Sequence, residues 1–429
     1  MASIPEYFEH GMPRDDTIVT DYIHPHSLNN GTPTEGIVPP KIGKEFSVDE
    51  AVHQAFPIVG TKLQAARQYG SSLWGLIAKL TAQLPDGTTV PYFLKVVPNE
   101  YPGKHMCEGE YESLKAMHEI VPSFIPVVYA WGPLKRGPGY FLLAEFRDVG
   151  KQPPDPPMLC KRLAELHKNS KSPTGKFGFH VTTCHGNLPQ YVGWESSWTL
   201  MFSKILAGAM DLDRDRHGPS REFSAYRTLL FDHVIPRLLD PLESGGRSIK
   251  PCLIHGDIWD ENCADDAVTG EPFAFDAGSL YAHNEYEIGY WRPPRHRLSN
   301  RMYIEEYKKH FPVSEPKEDW DDRHILYSMR FNISCSVLVP SSGQRQVLWR
   351  AVEKGNCDQI GKEVGTATKE TIQLGPYDGY WAALLTDPIE CVLQVFIPDL
   401  QRSHASCRYK ASDETNDGKG DGEEALDGS

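Results

Sequence analysis

Asp257 and Asn262, five residues apart in the run HGDIWDEN, and Asp276 in the downstream run FAFDAGS are the residues whose types and spacing suggest chemistry. The chemistry is phosphoryl transfer. There a protein does little covalent work and catalyses mainly by positioning and by neutralising charge. H-x-D-x-x-x-x-N is the spacing of a kinase catalytic loop, in which the aspartate orients and deprotonates the acceptor hydroxyl and the asparagine oxygen ligates magnesium. Asp257 is therefore the candidate base, and Asn262 with Asp276 the candidate metal pair. His, Gly, Asp and a correctly spaced Asn coincide by chance on the order of once per thousand chains of this length. The bland reading is a turn in which Asp257 caps a helix, and a second acid after its own apolar run weighs against it.

Such residues need strand ends to hold them and a second wall to hold a nucleotide. The apolar runs 252–254 and 273–275 read as short strands that present Asp257 and Asp276 at their ends. Upstream, the pattern gives strands over 63–69, 76–84 and 91–97, with Asp86-Gly87 as a hairpin turn. Gly70, Ser71 and Ser72 form a loop between the first two strands that would cover phosphates, and Lys95 on the third would reach them. The loop lacks a full G-x-G-x-x-G, so a plain β-turn explains Gly70 equally well. A helix over 105–120, with Met106, Tyr111, Leu114 and Met117 as its buried stripe, would bring Glu110 to Lys95 as an ion pair; alternatively Glu108, Glu110 and Glu112 all lie on a solvated face.

The remaining elements follow in order. Residues 1–45 read as a poorly ordered arm, and Ser47 with Glu50 forms a capping-box pattern for a helix to Phe56. Strands are expected over 124–130 and 140–146, the second ending at Glu145 and Phe146. A Pro-rich linker over 150–157 then marks a lobe boundary. Helices are expected over 158–169, 198–210, 220–242, 285–291, 302–310 and 321–337, with His167 a packed core histidine. The pattern fades after Pro340, and the acidic end reads as disordered. The chain thus divides into an arm (1–45), a nucleotide-binding lobe (46–148), a catalytic and acceptor-binding lobe (149–340) and an atypical extension (341–429).

Composition sets outer limits. With 429 residues, 40% hydrophobic and 24% charged, the chain has ordinary globular composition. A formal charge of −14 argues against a general nucleic-acid or anionic-membrane binder, yet one lysine, backbone amides and a metal suffice for ATP. No apolar run is long enough to span a bilayer, and the acidic first twenty residues fit neither a secretory signal nor a transit peptide, so the cytosol is the expected compartment. The nine scattered cysteines lack any C-x-x-C pair and read as reduced thiols, Cys263 among them as a buried apolar residue.

The chain resembles the fructosamine-3-kinase (ketosamine-3-kinase, protein-ribulosamine 3-kinase) family, within the aminoglycoside-phosphotransferase-like branch of the protein-kinase-like fold. The resemblance runs over about 47–340, through YFLKV at Lys95, CEGEYESL at Glu110, KFGFHVTTCHGNLPQ from Lys176, HGDIWDEN, FDAGS and HNEYE from His283. It implies an α+β, two-lobed fold: an N-lobe of antiparallel sheet plus helix and a mainly helical C-lobe. It also implies transfer of the ATP γ-phosphate, with Mg2+, to the 3-hydroxyl of a ribulosamine or fructosamine on a lysine amine or a small ketosamine, which promotes deglycation.

Carried over by position, Asp257 is the base, Asn262 and Asp276 bind magnesium, Lys95 and Glu110 position phosphate, and Glu145 and Phe146 meet adenine. Trp259 and His255 fall at the acceptor; for Trp259, a ring against the sugar and ordinary core packing both stand. Gly256, where protein kinases carry arginine, implies a kinase that needs no activation-loop phosphate. Two features depart from the family: the helix around 326–338 lacks its Asn-, His- and Trp-rich ending, and the tail after Pro340 matches nothing in it. The alternatives are a choline- or aminoglycoside-type kinase of the same fold, or an inactive binding module.

Overall fold

The computed structural model describes residues 45–70, 72–98, 101–150, 153–293 and 295–340. The arm over 1–44, Ser71 and the extension over 341–429 lie outside them. Helix α1 (Glu50–Gln54) leads into strands β1 (Lys62–Gln68), β2 (Leu76–Gln83) and β3 (Thr89–Val97), then helix α2 (Gly103–His118) and strands β4 (Val128–Pro133) and β5 (Tyr140–Glu145). The five strands form one antiparallel sheet in the order β1-β2-β3-β5-β4.

Alternation gives that sheet two different faces. Ala78, Leu80, Ala82, Tyr92 and Leu94 bury one face against Val52 and Phe56 of the α1 region. Val97 and Leu142 bury the other against Met106 and Cys107 of α2. Lys95 shares the parity of Val97, so its side chain leaves the sheet on the α2 side, which brings it toward Glu110.

After the crossover, α3 (Pro156–Asn169) starts on Asp155, whose carboxylate accepts from Met158 N, with proline in the first turn where no donor is needed. A small hairpin, β6 (Cys184–His185) and β7 (Leu188–Pro189), precedes helices α4 (Trp198–His217), α5 (Arg221–Leu229) and α6 (Ile235–Leu239). Two further hairpin-like pairs follow. Strand β8 (Cys252–Ile254) pairs with β11 (Leu280–Ala282), and β9 (Cys263–Asp265) with β10 (Pro272–Ala274). Helices α7 (Asn284–Ile288), α8 (Arg301–His310) and α9 (Trp320–Leu338) complete the lobe. Its core is aromatic: Trp198, Phe202, Tyr286, Tyr327 and Phe331 are fully buried and touch edge to face or stacked.

Three expectations are corrected. The N-cap of α1 is Asp49, not Ser47: its carboxylate accepts from Ala51 N and also from the amides of Lys135 and Arg136, tying the helix to the β4–β5 turn. Strand β4 begins at Val128 instead of near Phe124; Pro126 has no N–H to pair, and Phe124 and Ile125 turn into the C-lobe core. The helix expected over 220–242 keeps its Ser220 cap but widens to a π turn over Leu230–Val234 ahead of Pro236, whose ring and missing donor cannot continue a tight helix. His167 is a core histidine as expected, fully buried with Nδ1 2.7 Å from the Tyr307 hydroxyl.

Candidate active site

Strands β8 and β10 end side by side, and the residues that follow each of them build the centre of the site. Leaving β8, the chain turns sharply at Gly256, which has φ +82 and sits so close to the β10–β11 loop that a Cβ there would lie 2.1 Å from Gly278 O. Only glycine meets both conditions. The arginine that protein kinases carry at this position is therefore sterically excluded here.

The loop is braced from within. His255 Nε2 lies 3.0 Å from the Phe275 carbonyl and Nδ1 accepts from Asp257 N, so both ring nitrogens are committed and the ring is fully buried. Burial holds the imidazole below its ordinary pKa, which keeps Nδ1 free to accept. His255 is thus a strut of the loop, which corrects its assignment as an acceptor contact. From α7, the Glu287 carboxylate accepts from His255 N at 2.5 Å and from Gly256 N at 2.9 Å.

Asn262 joins the two halves. Its amide nitrogen donates to Asp257 O (2.8 Å) and Asp257 Oδ2 (3.2 Å) and reaches Asp276 O at 3.4 Å, an orientation that leaves the amide oxygen as the outward acceptor. Asp276 sits after β10 at φ 58, a conformation that costs energy in a non-glycine residue and aims its carboxylate at Lys95.

Lys95 Nζ lies 2.7 Å from Glu110 and 2.5 Å from Asp276. Lys95 and Glu110 are each 4% exposed, whereas the Asp276 side chain is 49% exposed, so the cluster opens on the Asp276 side. Burial acts to lower the Lys95 pKa, but the two carboxylates overcome it and hold the ammonium protonated. Burial pushes Glu110 up to about 7 against the pull of Lys95. For Asp276 burial again pushes upward, but Lys95, with His255 and Glu110, together overcome it and keep the acid below its ordinary value. The ion pair expected between Lys95 and Glu110 is present, and the reading of Glu110 as a solvated-face residue is excluded.

The hinge end is framed by β5. Glu145 N donates to Val127 O, and its carboxylate accepts from Val127 N and pairs with Arg147 at 3.1 Å. The Phe146 ring packs edge-on against Tyr69 and lies 4.1 Å below Lys79 Nζ. In the loop between β1 and β2, Gly70 takes φ +77 and Ser72 Oγ accepts from Trp74 N. A Cβ on Gly75 would lie 2.3 Å from Val96 O, so the loop returns flush against β3. Trp259 is partly buried, with its ring 5.4 Å from His296 and 6.4 Å from Tyr290. Cys263 is buried and its thiol pushed up by burial, the inert state expected of it.

Two participants were not foreseen. Glu287 lies within the HNEYE run, and its only signal is an acid where α7 is otherwise buried. His185, in the β6–β7 hairpin, comes within 3.0 Å of Asp257 Oδ1. Nothing in its spacing relative to Asp257 announces that.

The assembly offers an amide oxygen and a half-exposed carboxylate from two strand ends, which is a hard oxygen donor set suited to magnesium. Among the described residues no group of three or more His, Cys, Asp or Glu side chains could hold a metal ion. A cation here would therefore complete its shell with water and phosphate oxygens.

A family model described as fructosamine kinase matches residues 74–340, well over half of the chain. The protein-ribulosamine 3-kinase, chloroplastic, of Oryza sativa subsp. japonica is 36% identical over 188 residues, 44% of this chain and 52% of the relative. The Arabidopsis thaliana protein of the same name is 34% identical over 205 residues, 46% and 57% of the two chains. The ketosamine-3-kinase of Mus musculus is 31% identical over 212 residues, 43% and 64% of the two. The chain thus spans about half the length of the first curated relatives it matches. Crystal structures of proteins described as fructosamine-3-kinases show the same fold. The one from Haemophilus somnus 129PT has a TM-score of 0.54 at 18% identity, covering 68% of this chain and 91% of that one. The one from Thermobifida fusca has a TM-score of 0.54 at 20% identity, covering 72% and 98%.

Proposed function

Because the chain belongs to the fructosamine kinase family, we propose that it is an ATP-dependent kinase that phosphorylates the 3-hydroxyl of ketosamines, ribulosamine or fructosamine on lysine amines or small amines, and so promotes deglycation. The observation that carries this reading is the convergence of Lys95, Glu110 and Asp276 on one side of Asn262 and Asp257 on the other. That is the layout needed to hold a triphosphate beside an acceptor hydroxyl.

In this reading Lys95, fixed by Glu110, takes the α- and β-phosphates, while the loop over 70–75 lies above them and the strand end at Glu145 and Phe146 borders adenine. Asn262 and Asp276 would hold Mg2+, which neutralises charge on the phosphates. Asp257 Oδ2 accepts the proton of the acceptor hydroxyl as the oxygen bonds to the γ-phosphorus, and ADP leaves. Trp259 offers its accessible ring face to the sugar or to the lysine stem. Its partial packing on His296 and Tyr290 sets the ring plane and is compatible with that role. The 3-hydroxyl, the magnesium and the cytosolic compartment belong to the proposal; no helix among the described residues is long and apolar enough to cross a membrane.

The test offers purified full-length protein Mg-ATP with ribulosyl-lysine, fructosyl-lysine, choline or kanamycin, with Asp257→Asn as control. Turnover of a ketosamine that Asp257→Asn abolishes is expected. Phosphorylation of choline or kanamycin alone would overturn the substrate class, and ATP binding without turnover of any acceptor would point to a binding module.

A further inference from the structure

His185 is 2% exposed, and its Nε2 stands 3.0 Å from Asp257 Oδ1. The approach is not aligned as a hydrogen bond, and Oδ1 has no hydrogen-bond partner. Poor alignment of this kind is common for catalytic contacts before substrate is in place. The opposite oxygen, Oδ2, is the one that Asn262 touches. The imidazole ring is held between Tyr290, 5.4 Å away, and Phe331, 5.8 Å away, so it is set in position by packing and not by a second hydrogen bond; Nδ1 is buried without a partner.

Electrostatics decide which form of the ring fits. Were Nδ1 to carry the proton, a buried N–H would be orphaned while the Nε2 lone pair faced a carboxylate oxygen, and both are unfavourable. With the proton on Nε2, the ring presents a donor to Asp257 and leaves only a weak acceptor unpaired. The charged groups that act on the ring are Asp257 from the catalytic loop, Arg330 from α9 and Arg295 from the segment before α8. Burial, helped by the two arginines, outweighs Asp257 and holds the ring below its ordinary pKa. An imidazolium would also orphan Nδ1–H, so a relay that parks the acceptor's proton on this ring is disfavoured.

We propose that His185 is a positioning residue for the base: as a neutral imidazole it donates from Nε2 to Asp257 Oδ1, so that Asn262 and His185 between them fix both carboxylate oxygens and the plane in which Asp257 meets the acceptor hydroxyl. This rests on the reading of Asp257 as the base. Gln190 extends the arrangement. Its amide donates to Gly278 O and Thr183 Oγ1 and its oxygen accepts from Arg330, which ties the β6–β7 hairpin to the β10–β11 loop and to α9. His185 is thus carried by a hairpin locked against α9 and against the loop that carries Asp276.

The test compares wild type, His185→Phe, which keeps ring packing but has no donor, and His185→Gln, whose amide can donate at a similar reach. For ketosamine phosphorylation, Phe should lower kcat at least tenfold with the KM for Mg-ATP unchanged within twofold, and Gln should recover most of the loss. Equal kcat in all three, or equal impairment in Phe and Gln with folding intact, would overturn the proposal. An acceptor-independent readout separates this from the substrate assignment: 15N spectra of histidine-labelled protein, with the His185 signal identified by its loss in His185→Gln. A neutral Nε2–H tautomer at pH 7 whose shift responds to Asp257→Asn is expected. An Nδ1–H tautomer or an imidazolium would refute the proposal even if no ketosamine is turned over, whereas failure of ketosamine turnover with the expected spectrum would refute only the substrate class.

Discussion

Replacing Glu287 tests whether the loop that carries Asp257 is held from behind. Its carboxylate is 1% exposed and takes the backbone amides of His255 and Gly256 at 2.5 and 2.9 Å. Hydrogen bonds to a charged acceptor contribute about 1.5–3 kcal/mol each, and a buried amide left unpaired costs about 1–3 kcal/mol. In Glu287→Gln one oxygen still accepts one amide, but the NH2 group faces the other donor, so a loss of roughly 2–3 kcal/mol is expected. Glu287→Ala orphans both amides and should lose roughly 3–5 kcal/mol. With an m-value near about 3 kcal/mol/M in urea, the Gln variant should unfold roughly 1 M earlier.

Catalysis should fall by a separate route. Gly256 has no space on the Gly278 side, so a loop released from Glu287 can shift only away from that contact, taking Asp257 with it. A displacement of about 1 Å at a reacting group can cost about a hundredfold. Glu287→Gln should therefore lower kcat by roughly ten- to a hundredfold and leave the KM for Mg-ATP nearly unchanged, since Lys95 and Glu110 are untouched. Urea titrations and steady-state kinetics on a ketosamine acceptor measure both. An unchanged midpoint, or a raised KM for Mg-ATP with unchanged kcat, would refute the reasoning.

Two further outcomes are expected. Asn262→Ala should raise the magnesium requirement and lower kcat, because it removes the amide oxygen and frees Asp257 Oδ2; unchanged magnesium dependence in an activity titration would remove Asn262 from the metal site. Burial holds His283 and His324 at about 4 instead of 6.5, so the unfolded chain binds more protons than the folded one across that window, and stability falls as pH drops from 6.5 toward 4. Each contributes roughly 3 kcal/mol at full effect. His324→Gln, whose amide can still donate to Ile288 O, should flatten the slope of stability against pH, and an unchanged slope in denaturant titrations would count against the assignment.

What was legible in the chain was local and periodic. Asp257 and Asn262 share one loop, and Lys95 and Glu110 sit on elements whose buried faces are set by periods of two and three to four, so their meeting follows from packing a helix on a sheet. What was not legible depends on distant backbone. Glu287 looks like any surface acid until α7 is seen buried beneath the loop. His185 lies in a two-residue strand too short to carry a pattern, and its distance to Asp257 is set by how β6–β7 docks on Gly278. Asp49 displaced Ser47 as a cap because the amides of Lys135 and Arg136, far along the chain, gave its carboxylate extra partners. His255 was misassigned because a histidine beside the candidate base reads as functional from sequence, while its ring contacts with Asp257 N and with Phe275 O become visible only in three dimensions.

The packing of α2 gives physical content to the absence of a phosphate-receiving arginine. In protein kinases the lysine–glutamate pair forms only when the helix bearing the glutamate swings in, and activation controls that swing. Here α2 is fastened to the C-lobe along its length. A Cβ on Gly109, one residue before Glu110, would lie 2.7 Å from Thr182 O, so the helix backbone touches the 182–183 segment directly. One turn later, Ser113 Oγ donates to Gly109 O and accepts from Ser279 N, just beyond Asp276. His180 reaches Glu112 at 3.2 Å on the outer side. An outward swing of α2 would break the buried Lys95–Glu110 pair, leave the Ser279 amide unpaired and open the Gly109 contact together. Lys95 would keep Asp276 as a partner but lose Glu110, so the three losses together, and not the ion pair alone, disfavour the state with Glu110 withdrawn. In this structure the pair is held by the contacts that α2 makes with the 182–183 segment and with Ser279. Glycine at 256 follows from the same close packing, because the space an arginine would need is occupied by Gly278.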